Sequence, residues 1–148
     1  MRDRIDLLGR ALEDMYRVIS FSEGEEPEWE QMGRIFHPGA RLTRITPEGI
    51  DLFDLPSFRR MAEEMLDRGV YTSFFEREVA RRIEVFGSLA HVLSAYETKA
   101  RPEAVSCLAR GVNSIQLLWE EKSWRVLSLL WDEEGECSRL DVLRLFKS

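Results

Sequence analysis

Apolar residues recur at helical spacing in three segments of the first half of the chain. The first segment spans residues 5–19 and places on one face Ile5, Leu8, Leu12, Met15 and Ile19. The second begins at Pro27, which suits the first turn of a helix, and ends at His37-Pro38-Gly39. The third begins at Asp54, a suitable N-cap, and ends at Gly69. The pattern therefore predicts three amphipathic helices.

Alternating apolar and polar residues predict strands in the remainder of the chain. A short strand is predicted over residues 41–45, before a turn at residues 46–49. After Gly69 the period changes to two, which predicts long strands over residues 72–86, 89–99, 107–120 and 124–132. Short turns join these strands, and this favours antiparallel pairing. Because the strands exceed the usual length of about six residues, we expect a strongly twisted and bent sheet.

These elements predict an α+β fold in which three helices pack in the concave face of a strongly curved antiparallel sheet. Such a cone would leave a cavity at its open end. The chain length of 148 residues suits a single domain spanning residues 1–148. The tail, residues 135–148, is of uncertain structure. Its residues Leu140, Leu143 and Phe146 are spaced like one face of a short helix that docks on the sheet or on a partner subunit.

Composition and charge narrow the classes of partner. The net charge is -6, and the cluster Arg77, Arg81 and Arg82 is interleaved with acids, which argues against a nucleic-acid partner. The apolar runs are far shorter than the roughly 20 residues that a membrane helix needs, and no signal peptide is visible. The two cysteines, Cys107 and Cys137, have no CxxC spacing, so we expect free thiols in a cytoplasmic protein.

Three strings of residues resemble the nuclear transport factor 2-like superfamily, and they lie at residues 29–42, 111–118 and 124–132. The superfamily includes ketosteroid isomerases, polyketide cyclases, dehydratases and many uncharacterised proteins. The resemblance therefore implies a cone-shaped, cystatin-like roll but no particular activity. It also implies a homodimer formed by the outer face of the sheet, where the outward-facing candidates are His91, Leu93, Ser114, Gln116, Leu118, Trp124, Val126 and Leu130.

Ketosteroid isomerase chemistry does not fit the positions that the resemblance aligns. The general base of that branch falls near Arg44, a side chain that does not remove a substrate proton. The acid of its oxyanion hole falls in Ser114-Ile115-Gln116, where no acid occurs. Only its first-helix tyrosine has a match, which is Tyr16. Isomerisation by that set of residues is therefore not expected.

Two side chains are candidates for acid–base catalysis, His37 and Tyr16. The alternative for His37 is that it ends the second helix and faces solvent. No metal site is expected, because His37 and His91 are 54 positions apart and neither lies in a metal-binding motif. No cofactor is expected either, since the glycines do not form a phosphate-binding loop. Cys107 has no neighbouring base and is interpreted as a structural thiol.

A pocket inside the cone is predicted to bind a small apolar molecule. Its predicted lining is Tyr16, Trp29, Phe36, Phe58, Met61, Met65, Phe75, Tyr96, Leu117, Leu127, Leu129 and Trp131. Tyr71 and Asp14 are further polar candidates. Two alternatives stay open: a small-molecule dehydratase, cyclase or isomerase-type enzyme, and a purely structural homodimeric protein whose own side chains fill the cone. The sequence specifies neither a ligand nor a reaction.

Overall fold

The computed structural model describes residues 2–20, 27–69, 74–101, 103–135 and 140–146. Tyr71, Cys137 and the side chain of Leu143 lie outside this described part of the chain. The helices are α1 (Arg2–Val18), α2 (Trp29–Ile35), α3 (Leu55–Asp67) and α4 (Val142–Phe146). The strands are β1 (Phe36–Thr46), β2 (Gly49–Phe53), β3 (Phe75–Phe86), β4 (Leu89–Lys99), β5 (Ala109–Glu120) and β6 (Ser123–Glu133).

The strands form one sheet in the order β2-β1-β6-β5-β4-β3. Neighbouring strands are antiparallel, as predicted, except that β1 and β6 pair in parallel. This parallel pair joins segments that are far apart in sequence, so no local turn sequence predicts their pairing. Strand β2 also lies outside the prediction. It forms a hairpin with β1 through the predicted turn, and the pair is closed by Gly49 at a φ of 148°.

The core lies between α1 and the inner face of the sheet. Leu8, Leu12 and Met15 are fully or almost fully buried on α1, at the spacing that the sequence predicted. They belong to the same apolar cluster as Phe36 on β1 and Ile115 on β5. Helix α3 packs farther along, against β1 and β2. The predicted α+β arrangement of helices on one face of the sheet is therefore confirmed.

A bulge in β6 changes which of its side chains face the core. Gln116 pairs with Ser128 and Leu117 pairs with Val126, so Leu127 is an extra residue with no partner on β5. The alternation of faces is therefore reversed on the two sides of Leu127. The outward positions predicted for Trp124 and Val126 are wrong, because both side chains are buried in the core. Leu127, predicted to line the pocket, is 39% exposed and lies outside it.

A second bulge, in β3, has the same effect on that strand. Glu78 pairs with Tyr96 and Ala80 pairs with Ala95, which leaves Val79 as the extra residue. In a regular alternation Val79 would share a face with Ile83, but Val79 is exposed whereas Ile83 packs against the core. Before the bulge, the even-numbered Glu76 and Glu78 face inward, so the inner face of β3 contains two carboxyl groups.

The end of α2 also differs from the prediction. His37-Pro38-Gly39 was expected to separate a helix from a later strand, but β1 already begins at Phe36. The register with β6 jumps between Phe36 and Arg41, and this irregular stretch accommodates the proline. At the other end of the chain, α4 packs against β3, where the Arg82 guanidinium donates a hydrogen bond to the Leu145 carbonyl at 3.3 Å.

Gly111 on β5 leaves room for two neighbours, and we expect a methyl group there to destabilise the fold. A Cβ at this position would contact the Asp132 carbonyl and lie 2.7 Å from the Tyr96 hydroxyl. Gly111→Ala should therefore lower the free energy of unfolding in urea by about 1–3 kcal/mol. Gly33→Ala is the matched control, because a Cβ at Gly33 in α2 has no neighbour within 4 Å. It should stabilise the protein by roughly 0.5–1 kcal/mol. Equal effects of the two substitutions would contradict the close packing around Gly111.

Candidate functional site

A partly open cavity of about 170 Å³ lies between α3 and the inner face of the sheet. Helix α3 contributes an apolar wall that consists of Phe58, Met61, Ala62, Met65 and Leu66. The capping box of Asp54 and Ser57 fixes the first turn of this helix. The described residues that line it are Ile19, Pro27, Trp29, Leu42, Arg44, Phe58, Met61, Ala62, Met65, Leu66, Phe74, Glu76, Tyr96, Asn113, Leu129, Trp131 and Glu133.

The cavity brings together seven of the side chains predicted from the sequence to line a pocket. These are Trp29, Phe58, Met61, Met65, Tyr96, Leu129 and Trp131. The other five are not part of the lining. Phe36 and Leu117 are buried in the core, Leu127 faces the opposite side of the sheet, and Tyr16 lies deeper in the interior. Phe75 is replaced by its neighbour Phe74.

Sequence reasoning missed four polar residues of the lining, Arg44, Glu76, Asn113 and Glu133. Arg44 pairs with Asp51 on β2 at 2.7 Å, so its charge is neutralised at the edge of the cavity. Glu76 was assigned to a solvated strand face because acidic and basic residues are interleaved along this strand. Only the bulge at Val79, which has no clear signal in a single sequence, corrects this assignment.

Tyr16 supports the floor of the cavity from α1. Its hydroxyl lies 2.7 Å from the Ser94 hydroxyl and accepts a hydrogen bond from the Asn113 amide at 3.0 Å. Ser94 in turn donates to Glu78 at 2.5 Å. Burial raises the pKa of the Tyr16 hydroxyl well above its usual range. Tyr16 therefore remains neutral and orients Asn113, which does line the cavity.

Glu76 is the most strongly perturbed carboxyl group of the cavity. The residue as a whole is half-buried, and its carboxyl end is the buried part. Burial raises the pKa of Glu76 to about 8, and the negative charge of Glu133 raises it further, whereas a hydrogen bond with Asn113 opposes the shift. The backbone of Glu76 is anchored to the segment that follows α1, since its N–H donates to the Ser20 hydroxyl at 3.1 Å. At neutral pH this carboxyl group is therefore mostly protonated.

Tyr96 lines the cavity and has a buried hydroxyl group without a hydrogen-bond partner among the described residues. The residue is 1% exposed, and its hydroxyl oxygen has no hydrogen-bond partner in the described part of the chain. Burial, with the negative charge of Glu76 as the next cause, raises the pKa of this hydroxyl far above its usual range. A buried polar group without a partner is destabilising, by about 1–3 kcal/mol. Tyr96 can therefore offer a bond to a molecule that enters the cavity.

His37 lies apart from this cavity. Its Nδ1 accepts a hydrogen bond from the Gly39 N–H at 2.9 Å, and its Nε2 is 3.7 Å from Glu120. Cys107 is an exposed free thiol. Among the described residues, no three His, Cys, Asp or Glu side chains are grouped closely enough to hold a metal ion. No helix in those ranges combines the length and hydropathy needed to cross a membrane.

Several solved structures share this architecture at low sequence identity. A nuclear transport factor 2-like protein of unknown function from Silicibacter pomeroyi has a TM-score of 0.65 and 18% identity, over 90% of this chain and 98% of that one. A protein of unknown function from Mycobacterium tuberculosis has a TM-score of 0.69 and 15% identity, over 90% and 78%. A cystatin-like protein from Nostoc punctiforme has a TM-score of 0.62 and 14% identity, over 89% of both chains.

The chain has the nuclear transport factor 2-like fold. No protein-family model matches its sequence, and no curated protein matches it either. The structural neighbours therefore establish the fold, and what this nuclear transport factor 2-like cone does has to be argued from its own cavity.

The raised pKa of Glu76 makes the stability of this nuclear transport factor 2-like fold depend on pH. The folded state keeps the proton up to about pH 8, whereas an unfolded glutamate releases it near its ordinary pKa of 4.5. The stabilisation is therefore complete below pH 4.5 and is lost as the pH rises through 8. We expect the free energy of unfolding to fall by up to about 1.4 kcal/mol per pH unit in this window.

Urea titrations between pH 5 and pH 8 measure this slope. Glu76→Gln should flatten it, because the amide keeps the shape of the side chain and does not titrate. Glu84→Gln is the matched control, since Glu84 is exposed on the same strand, and it should retain the wild-type slope. An unchanged slope in Glu76→Gln would show that Glu76 is not the titrating group.

Proposed function

We propose that the protein binds a small, mostly apolar molecule in the cavity under α3. The observation that carries this proposal is a largely apolar cavity of about 170 Å³ whose wall includes Tyr96, a residue that is 1% exposed and whose hydroxyl has no hydrogen-bond partner among the described residues. Pockets for small molecules combine apolar walls with a few polar groups that set orientation. A cavity filled by the protein's own side chains, as a purely structural protein would have, is the weaker interpretation of this space.

The size of the cavity limits the molecule. An engineered apolar cavity of roughly 150 Å³ is known to hold benzene. The cavity here measures about 170 Å³ and is partly open, so one six-membered ring with a short substituent fits inside it. A longer molecule would extend out of the open side of the cavity.

An acid–base enzyme is the second candidate, and Glu76 favours it. A carboxyl group with a pKa of about 8 inside a cavity can exchange a proton near neutral pH. Glu76 is therefore the acid–base candidate in this proposal instead of His37 and Tyr16, because neither of those residues lines the cavity. Dehydratase, cyclase or isomerase chemistry would convert the bound molecule, whereas a binding protein would release it unchanged.

Filling the cavity should abolish binding. Ala62 lines the cavity from α3, and in Ala62→Phe the ring occupies the space that the molecule needs. Native mass spectrometry of the protein purified from its own cells should show a retained small molecule, which is absent from Ala62→Phe. Ala100→Phe adds the same ring at an exposed position and is the control. Retention of no molecule by the wild-type protein, or equal retention by both variants, would contradict the proposal.

We also propose a homodimer formed through the outer face of β4, β5 and β6. Leu127 and Leu130 are each 39% exposed on this face, and the pair His91 and Ser114 lies on it, joined at 3.1 Å. Partly exposed leucines on the broad face of a sheet support a protein contact. A second copy of the same chain is the occupant that closed symmetry makes simplest.

A charge on this face should disrupt the dimer. Leu130→Glu would bury an unpaired carboxylate at a two-fold contact, so we expect the dissociation constant to rise at least tenfold. Sedimentation equilibrium at micromolar concentration measures it. Val105→Glu introduces the same charge at a fully exposed residue and should leave the dimer intact. A wild-type monomer would refute this part of the proposal.

A cytoplasmic location is the remaining part of the proposal. Cys107 is a free and exposed thiol. Such thiols persist in reducing compartments, which supports this location.

A further inference from the structure

Two carboxyl groups define one end of the cavity. Glu76 on β3 and Glu133 on β6 both line it, and the charge of Glu133 acts on Glu76. Neither carboxyl group forms an ion pair with a basic side chain anywhere in the described ranges. The other pairs of the fold do use basic partners, such as Arg81 for Glu78 and Arg77 for Glu97. This end of the cavity therefore lacks a cation.

The described elements packed around Glu76 do not supply that cation. Helix α1 contributes the neutral Tyr16, the segment after it contributes the neutral Ser20, and β4 contributes the neutral Tyr96. Strand β5 contributes the uncharged Asn113. The residues of α3 that line the cavity are all apolar, and α2 contributes a tryptophan. On β3 itself, Glu78 is another acid.

One basic residue lines the cavity elsewhere. Arg44 on β1 pairs in register with Trp131, two residues before Glu133 on β6. Its guanidinium lies 2.7 Å from Asp51 and 5.7 Å from the centre of the Phe53 ring. Its charge is therefore already compensated by β2, on the side of the sheet away from β3.

Aromatic rings form much of the remaining wall. Trp29, Phe58, Phe74, Tyr96 and Trp131 all line the cavity. The faces of aromatic rings attract organic cations, and each such contact contributes about 0.5–2 kcal/mol. Acidic groups at one end and aromatic rings around the sides are therefore complementary to a molecule with an apolar body and a positive charge.

We propose that the molecule bound in this cavity is a small organic amine, with its protonated amino group held between Glu76, Glu133 and the Tyr96 hydroxyl. Its apolar body would lie against the rings and the methionines of α3. The inference rests on the function proposed above and adds the chemical class of the ligand. The ammonium N–H groups would provide the Tyr96 oxygen with the partner that the described part of the chain does not provide.

A proton leaves Glu76 when the amine binds. In the empty cavity at pH 7 the carboxyl is neutral, because its pKa is about 8. The amine enters as an ammonium ion, pairs with the carboxylate, and the carboxyl proton passes to solvent. Charge is therefore conserved, and the affinity depends on pH below 8.

An uncharged ligand with a carbonyl or hydroxyl oxygen is the competing class. It would accept hydrogen bonds from Tyr96 and from the protonated Glu76, so its affinity would fall once Glu76 ionises. The two classes therefore have opposite pH dependence.

Isothermal titration calorimetry with benzylamine and its uncharged isostere benzyl alcohol separates these classes. Between pH 6 and pH 7.5 the association constant of benzylamine should rise roughly tenfold per pH unit, and it should level off above pH 8. Repeating the titration at pH 7 in buffers of different ionisation enthalpy should reveal close to one proton released. This proton count needs no variant of the protein.

Three variants locate the effect. Glu76→Gln should weaken benzylamine binding at pH 8 by about tenfold or more and should remove its pH dependence. Glu84→Gln, on the exposed face of the same strand, should change neither. Glu133→Gln should weaken benzylamine binding and leave benzyl alcohol binding unchanged.

The outcomes distinguish the inference from the function on which it rests. Benzyl alcohol binding as tightly as benzylamine, or benzylamine affinity that is independent of pH, would refute the amine and leave a small-molecule pocket. Failure of both probes to bind at millimolar concentration, together with no retained molecule in native mass spectrometry, would refute both.

Discussion

Burial of the apolar face of α1 against the inner face of the sheet is the contact on which the rest of the structure depends. Leu8, Leu12 and Met15 pack into a cluster that includes residues of β1, β4, β5 and β6. The same helix reaches the candidate site, because Tyr16 orients Asn113 and its carbonyl binds the hydroxyl of Ser20, which anchors the backbone of Glu76. Movement of α1 would therefore disturb the core and the floor of the cavity together.

Helical periodicity in the sequence was sufficient to predict most of this arrangement. In α1 the residues Leu8, Leu12 and Met15 are buried at the predicted spacing, since a helix buries a continuous stripe, whereas Ile5, predicted on the same face, is 43% exposed. The pairing of strands that are distant in sequence was harder to predict. The parallel contact of β1 with β6 brings Arg44 beside Trp131. No local turn specifies that contact, so the edge of the sheet could not be predicted from residue patterns alone.

The candidate site was predictable only where burial and hydrophobicity agree. Tyr96 and Trp131 are large apolar side chains on inner faces, and the sequence predicted both as lining. Glu76 and Glu133 are acids, which a single sequence assigns to solvent by default. The bulge at Val79 turns Glu76 inward, and a one-residue shift of this kind reverses the face of every side chain on that side of it.

A buried carboxyl such as Glu76 is difficult to explain as a contribution to folding. Its pKa is about 8 in the folded state, whereas an unfolded glutamate ionises far below pH 7. Burial of Glu76 therefore lowers the free energy of unfolding at pH 7 by an amount on the order of 3 kcal/mol. Glutamine would fill the same space without that penalty. Proteins tolerate buried groups that lower their stability mainly at functional sites, because the free energy of ligand binding offsets the loss. The unpaired Tyr96 hydroxyl beside the same cavity is a second conflict, and one ligand that engages both groups would resolve the two together.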